Sequence, residues 1–313
     1  MKLTVASSPH IRGDFRTSRL MLDVVIALLP AVGVGIARFG IRALWIILIS
    51  VAAAVASELL YCVLLKKRVT IIDASAIVTG LLLALTLPVS APLWMPAAGS
   101  AFAIVFAKAL FGGLGQNIFN PALTGRAFLM LIYPVGITRY AMAPDAVSSA
   151  TPLHHMVMPA LPEESILDMF LGFCPGSIGE ISALALLIGF AYLLIRKVIS
   201  WRIPVFVMAS AALLSLVFSK AGTPVEWMLY TLFSGGLMLG SIYMATDYAT
   251  SPVTQKGQMI YGAFIGALIV LFRYFGIFPE GVTYAILLAN ALVWIIDRYT
   301  FPVRFGKVKG AKK

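Results

Sequence analysis

The stretch ALWIILISVAAAVASELLYCVLL, residues 43–65, decides the fold class of this chain. It contains a single charged side chain, Glu58. A helix rises 1.5 Å per residue, so about 20 apolar residues cross the hydrocarbon core of a bilayer, which is about 30 Å thick. The stretch is continuously apolar and does not alternate apolar with polar residues, as a strand of a membrane barrel would. The pattern therefore predicts a transmembrane helix.

The same criterion identifies further candidate spans along the rest of the chain. Apolar residues make up 60% of the sequence and charged residues only 12%, whereas soluble domains average about 45–50% and about 25%. We predict an all-α polytopic membrane protein of about ten transmembrane helices, at roughly 20–37, 43–65, 72–88, 94–111, 123–137, 181–195, 203–219, 227–246, 258–276 and 282–297.

The basic residues predict the orientation of these spans. The formal charge is +11, but Lys and Arg lie between apolar runs and not on a polar domain, which excludes nucleic acid as a partner. With the N-terminus in the cytoplasm, 19 of the 24 basic residues fall inside, and five fall outside: Arg38, Arg42, Arg139, Lys220 and Arg273. This asymmetry predicts ten spans with both termini on the cytoplasmic side of the membrane.

The predicted spans divide into two membrane halves around one long loop. Residues 1–137 form the first half, 138–180 an extracytoplasmic loop, and 181–313 the second half. Each half has five spans, so homologous halves would be inverted in the membrane. A short similarity, TGLLLA at 79–84 and GGLMLG at 235–240, favours such a repeat. Inverted repeats commonly place substrate or ion sites at interrupted helices near the bilayer midplane.

The outer loop contains the sequence DAVSSATPL, residues 145–153. By composition it is an ordinary turn-prone loop. It also resembles a flavinylation signal, in which an Asp precedes Ser or Thr, Gly or Ser, Ala, and an acceptor Thr. A flavin transferase would link FMN to that hydroxyl as a phosphoester. Thr151 fits the acceptor, Ser148 lies within the signal, and Asp145 could orient the threonine or a metal during transfer.

Five segments along the chain resemble one family of redox-driven ion pumps. They are SSPHIR at 7–12, MLDVVIALLP at 21–30, NIFNPALTGR at 117–126, the Thr151 loop and ATDY at 245–248. The family contains the RnfD subunit of the Rnf ion-translocating ferredoxin:NAD oxidoreductase and the NqrB subunit of the sodium-pumping NADH:quinone oxidoreductase. The short N-terminal portion favours the Rnf type. One departure is Ser149, where the signal more often has Gly.

The resemblance implies a second flavin, a noncovalent riboflavin near the cytoplasmic side. The matching positions are Thr79, Asn117 and Asn120. Arg126 could contact a flavin carbonyl, or it could be present only because basic residues are concentrated on the cytoplasmic side. Asn side chains donate and accept hydrogen bonds, which suits the polar edge of an isoalloxazine ring. The alternative interpretation is that Asn120 followed by Pro121 only caps a helix.

Acidic residues within the spans are candidates for an ion path, because a carboxylate at the bilayer centre is costly. We rank Glu58 and Asp247 first. Asp23, Asp73 and Asp297 lie near span ends, where an ion pair or an interfacial position explains them. The two cysteines, Cys62 and Cys174, are too few to build an iron–sulfur or zinc site and are expected as buried thiols.

These observations and the resemblance predict a membrane electron-transfer subunit with covalent FMN and riboflavin. Its partners would be membrane lipid, the flavin transferase and the other subunits of an Rnf-type complex, through which it would reach ferredoxin and NAD. The chain has no dinucleotide-binding fingerprint, so it is not expected to be active alone. The alternatives are a secondary transporter or channel with inverted repeats and no redox cofactor, or a purely structural membrane subunit.

Overall fold

The computed structural model describes residues 17–67, 71–138, 140, 161–162, 164–275 and 281–302. These residues form helices joined by turns, and no β-strand occurs among them. The all-helical fold class is therefore confirmed.

The first half contains five main helices. They are α1 (Thr17–Phe39), α2 (Ile41–Leu64), α3 (Ser75–Leu85), α4 (Trp94–Phe102) and α5 (Pro121–Ile132), followed by the short α6 (Pro134–Ile137). A 3₁₀ turn, Ile71–Asp73, precedes α3, and α4 continues as a π-helix over Ala103–Ala109.

The second half begins with the short α7 (Ile166–Leu171). It continues with α8 (Ala183–Ile195), α9 (Arg202–Val217), α10 (Pro224–Phe233), α11 (Leu237–Leu239), α12 (Gln255–Phe275) and α13 (Val282–Thr300). The short α11 continues as a π-helix over Gly240–Met244.

Four helices, α1, α2, α12 and α13, are long and apolar enough to cross a membrane, and several of the others are shorter but apolar. The architecture is that of a multi-pass membrane protein, and the count of ten spans stays a prediction. One predicted span, 227–246, is not continuous. The chain leaves the helix at Ser234, and Gly235 takes a positive φ of 59° before α11 begins. Glycine adopts this conformation without the steric cost that a Cβ would add.

The same packing pattern recurs in both halves. In the first half α2 packs on α3 and α4, and α4 packs on α5. In the second half α9 packs on α10 and α12, and α12 packs on α13. Helices α9 and α12 approach closely because Gly262 and Gly266 face the backbone of α9, where a Cβ would lie 2.9 Å from the Ile203 carbonyl oxygen and 2.4 Å from that of Val207.

The end of the predicted outer loop returns into the helical core. Residues 172–180 are mostly buried and pack on the C-terminal end of α3. The Ile178 and Gly179 amides donate to the carbonyls of Leu87 (3.1 Å) and Leu85 (2.8 Å). The bond to Leu85 satisfies a carbonyl group that the end of α3 leaves without an intrahelical partner, and the bond to Leu87 holds the segment against the turn that follows α3. They carry Glu180 into the protein interior, where it is 6% exposed.

The two cysteines are buried as reduced thiols, as the sequence predicted.

Candidate functional site

A cavity whose space, including its open mouth, is about 720 Å³ lies between helices of the two halves. We call it the main cavity. It collects three of the predicted flavin-site residues, Thr79, Asn117 and Asn120, together with Asp247. Its other walls are largely apolar and come from several helices: Met21, Val24, Val78, Leu82, Leu114, Leu193 and Ile199. An apolar cavity with a few converging polar groups is the usual form of a cofactor site.

Asn120 caps α5 and also ties the two halves together. Its Oδ1 accepts from the Leu123 amide (3.2 Å), and Pro121 occupies the first turn, where a missing N–H costs nothing. Its Nδ2 donates to the Met244 carbonyl oxygen at 3.0 Å. Both ends of the amide are thus engaged. Asn120 therefore caps α5 and also lines the main cavity, so whether it contacts a flavin stays a prediction.

Asn117 and Asp247 contact each other at the edge of the main cavity. The Asn117 Nδ2 donates to the Phe119 carbonyl oxygen (3.2 Å) and to Asp247 Oδ2 (3.3 Å). The Thr250 hydroxyl donates to the same carboxylate oxygen at 3.2 Å. Asp247 lies in the loop after the π-helix, where burial raises its pKa and these hydrogen bonds oppose the rise. A predicted flavin residue and a predicted ion-path residue therefore form one polar group.

Thr79 contributes a hydroxyl to the α3 wall. Its Oγ1 donates to the Ser75 carbonyl oxygen one turn earlier, at 3.0 Å. A hydroxyl that donates its hydrogen keeps its lone pairs for an incoming donor. Thr79 therefore offers an acceptor to a ligand N–H.

Glu58 is buried on α2 and forms an ion pair with Lys108, one of the 19 basic residues that the charge rule places on the cytoplasmic side. The Lys108 Nζ lies 2.8 Å from Glu58 Oε1 and 2.6 Å from the Ser75 Oγ. Lys108 is 3% exposed and also lines the main cavity. The sequence contained a signal for this pair. Lys108 is a charged residue within the apolar run 94–111, and Glu58 is the only acid within the apolar run 43–65.

Arg126 does not line the main cavity, although the resemblance suggested that it could meet the flavin. Its Nη1 lies 3.1 Å from Glu180 Oε1, and both side chains are almost fully buried. The Ser177 hydroxyl donates to the other Glu180 oxygen at 2.5 Å. This group, which we call the Glu180 cluster, borders a cavity of about 250 Å³ that is also lined by Thr86, Gly236 and Thr283.

The other three acids considered for the ion path, Asp23, Asp73 and Asp297, each have a hydrogen-bond or ion-pair partner. Asp23 accepts from Tyr192 Oη (2.8 Å) and pairs with Arg196 (3.3 Å) of α8. Asp73 accepts from the Ser75 amide at 3.0 Å, and Asp297 accepts from the Val253 amide at 3.2 Å. Among the described residues no group of His, Cys, Asp and Glu is arranged to hold a metal ion. Asp145, Ser148 and Thr151 lie outside the described residues.

The profile of the "NQR2, RnfD, RnfE family" matches residues 4–306. The chain belongs to this family. The match covers the main cavity, the Glu180 cluster and the Thr151 segment in one stretch.

Curated relatives in the NQR2, RnfD, RnfE family match this chain over nearly their full length. The chain is 46% identical to the D subunit of the "Na(+)-translocating ferredoxin:NAD(+) oxidoreductase complex" of Acetobacterium woodii, over 100% of this chain and 98% of that protein. It is 43% identical to the D subunit of the "Proton-translocating ferredoxin:NAD(+) oxidoreductase complex" of Clostridium ljungdahlii, over 97% and 96%. It is 37% identical to the D subunit of the "Ion-translocating oxidoreductase complex" of Stutzerimonas stutzeri, over 92% of each.

Proposed function

We propose that this chain is the RnfD membrane subunit of an Rnf-type ferredoxin:NAD oxidoreductase, in which electron transfer drives ion translocation. The observation that carries the proposal is the full-length identity of 46% and 43% to two proteins named as the D subunit of such complexes. One of them is named as sodium-translocating and the other as proton-translocating, so overall identity does not determine the ion for this chain.

The proposal includes FMN bound covalently to Thr151. The support is the Asp145–Thr151 signal in the sequence, with Ser148 and the small residues around it. A flavin transferase would form the phosphoester on the hydroxyl. The orientation predicted from the basic residues puts this threonine outside the cytoplasmic membrane, with both termini inside.

The residues around the main cavity fit a riboflavin. The apolar walls suit the fused rings, and Asn117 and Thr79 offer the polar groups that an isoalloxazine edge requires. The Asn120 side chain already forms hydrogen bonds with Leu123 and Met244, so its role is to hold the shape of the cavity wall.

Bound flavins supply the electron-carrying chemistry, and the protein residues position the ring and set its electrostatic surroundings. In the main cavity Thr79 would accept a hydrogen bond from the ring, Asn117 would hold its polar edge, and the apolar side chains would exclude water. Asp247 adds a carboxylate beside Asn117. Iron–sulfur and nucleotide sites belong to the other subunits, through which ferredoxin and NAD are reached.

Asp247 is the first candidate for the ion path, because it is a half-buried carboxylate that accepts a hydrogen bond from Asn117 at the edge of the main cavity. Glu58 is the second candidate, and its ion pair with Lys108 means that an ion would have to compete with the ammonium for it. The recurring packing of the two halves supports the proposal that they are inverted five-helix repeats.

The test of the covalent flavin is fluorescence of the denatured protein. The washed subunit, made together with an active flavin transferase, should fluoresce in a gel, and Thr151→Ala should be dark. Thr138→Ala is the matched control, because Thr138 is an exposed threonine at the start of the same loop. A dark unmodified band would remove the covalent flavin and favour the rival transporter or channel without a redox cofactor.

The test of the ion path is Asp247→Asn in the assembled complex. Ion transport into vesicles should fall by more than ferredoxin:NAD electron transfer, because the charge that an ion would meet has been removed. Asp297→Asn, outside the main cavity, is the control. Equal and normal rates of both processes in the Asp247 variant would rule this carboxylate out as an essential group.

A further inference from the structure

Lys108 places a positive charge in the wall of the main cavity. The side chain belongs to the π-helix Ala103–Ala109 and is 3% exposed. It also lines a neighbouring cavity of about 380 Å³, together with Glu58, Tyr61 and Lys67. The ammonium group therefore stands between two cavities. Lysines are almost never buried without a partner, and π-helical turns occur frequently at functional sites.

The position of the ammonium group is fixed by three other residues. Nζ donates to Glu58 Oε1 at 2.8 Å and to Ser75 Oγ at 2.6 Å. Ser75 Oγ in turn donates its only hydrogen to Asp73 Oδ1 at 2.5 Å, so the serine can only accept from Lys108. A lysine ammonium has three N–H donors. The described residues supply acceptors for two of them, and the third donor is available to an acceptor in the cavity.

We infer that Lys108 is an electrostatic positioning residue for the flavin in the main cavity. This inference rests on the proposed riboflavin site. The ammonium group can donate to the acceptor edge of the ring system, and its charge favours the reduced, more electron-rich form over the oxidised form. Glu58 holds the ammonium in place and partly offsets its charge. The positive charge of Lys108 lies at the main cavity, and the negative charge of Glu58 lies at the neighbouring cavity. Together these two charges set the reduction potential of the bound flavin.

The two partners have effects of opposite sign. Lys108→Met removes the positive charge, so the reduction potential falls. Glu58→Gln removes the offsetting negative charge, so the potential rises. A unit charge a few ångströms away, at an effective dielectric constant of about 20, changes an equilibrium by about tenfold or more. For a two-electron couple, a tenfold change corresponds to about 30 mV.

The experiment is a redox titration of the noncovalent flavin in the purified complex. All samples carry Thr151→Ala, so that the covalent flavin of this chain does not overlap, and each variant is compared with that background as a difference titration. Lys67→Met is the matched control, because Lys67 is an exposed lysine that lines the neighbouring cavity and is not among the described residues that line the main cavity. Riboflavin released by denaturation is measured for every sample.

We expect Lys108→Met to lower the potential by about 30 mV or more, Glu58→Gln to raise it, and Lys67→Met to leave it unchanged. The double variant Lys108→Met/Glu58→Gln removes both charges, so it keeps the inference testable if a single variant does not assemble. Its potential should lie above that of Lys108→Met and below that of Glu58→Gln, whichever of the two can be measured.

Shifts of the same sign in both single variants would overturn the inference. An unchanged potential in single variants that assemble and retain riboflavin would also overturn it and indicate a purely structural ion pair. Either result, with riboflavin present in the background complex, leaves the proposed function intact. Absence of extractable riboflavin from the background complex would overturn the flavin site and this inference together.

Discussion

The buried ion pair between Arg126 and Glu180 allows a quantitative prediction about stability. Two unit charges 3.1 Å apart attract by about 5 kcal/mol at an effective dielectric constant of about 20. Removing both charges from water costs several kcal/mol per ion, so the net contribution of the intact pair is small. Removing only one partner leaves a buried charge uncompensated, and this costs about 3–5 kcal/mol.

We therefore expect Arg126→Met and Glu180→Gln each to lower the free energy of unfolding by about 3–5 kcal/mol. Gln keeps an oxygen that can accept from the Ser177 hydroxyl. The double variant should lose much less than the sum of the two losses, because no charge is left unpaired. The measurement is denaturant unfolding of the detergent-solubilised subunit as a double-mutant cycle.

The control is a more exposed ion pair. The Arg196 side chain is 55% exposed in its contact with Asp23, so Arg196→Met should cost at most about 1 kcal/mol. If the two buried single variants lost no more than Arg196→Met, or if their losses were additive in the double variant, the reasoning about the Glu180 cluster would be refuted.

Three further predictions test the site and the fold. Asn120→Ala should lower the riboflavin content of the complex while the covalent flavin remains. Loss of the helix cap should also lower the free energy of unfolding by about 1 kcal/mol. An unchanged riboflavin content would reject the role of Asn120 in the cavity. Gly236→Ala should lower the free energy of unfolding by about 1–3 kcal/mol, because a Cβ would lie 2.5 Å from Glu180 Oε1. Gly33→Ala is the control and should be tolerated, because no atom lies within 4 Å of its added Cβ. Equal stability of the two variants would contradict the packing around Gly236. Burial raises the pKa of Cys174 to about 12. Its thiol should therefore resist a water-soluble maleimide at neutral pH in the folded protein and react with it after unfolding. Rapid labelling of Cys174 in the folded protein would contradict its burial.

The long helices could be predicted from the sequence because length and hydropathy alone define them. The stretches 20–37, 43–65, 258–276 and 282–297 correspond to α1, α2, α12 and α13 within a few residues at each end. In each of them a continuous apolar run satisfies the requirement that lipid places on the backbone. No contact with a distant residue is needed to recognise such a helix.

The broken helix and the returning segment could not be predicted in the same way. Gly235 and Gly236 were visible in the sequence, but an apolar window counts them as part of a span. Residues 172–180 are too few and too polar to cross a bilayer, so the sequence predicts that they belong to the loop. Their burial depends on backbone bonds to Leu85 and Leu87, which are far away in the sequence.

Three of the residues that line the main cavity belong to the flavin site predicted from the sequence, and that flavin site stays a prediction. Thr79, Asn117 and Asn120 were chosen by resemblance, and the structure brings all three to one cavity together with Asp247. The charge partners were not predicted, because Glu58 with Lys108 and Arg126 with Glu180 are each about fifty residues apart in sequence. A rule that counts positive charges by side cannot distinguish an interfacial lysine or arginine from a buried one.

The most direct test of the proposed function is the mass of the peptide that contains Thr151. No Lys or Arg occurs between Arg139 and Arg196, so chymotrypsin, which can release residues 141–153, is a better choice than trypsin. In mature complex we predict this peptide at the mass of its residues plus one FMN joined by a phosphoester, with the modification on the threonine. The same peptide at its unmodified mass, in complex that transfers electrons from ferredoxin to NAD, would contradict the proposed flavin attachment.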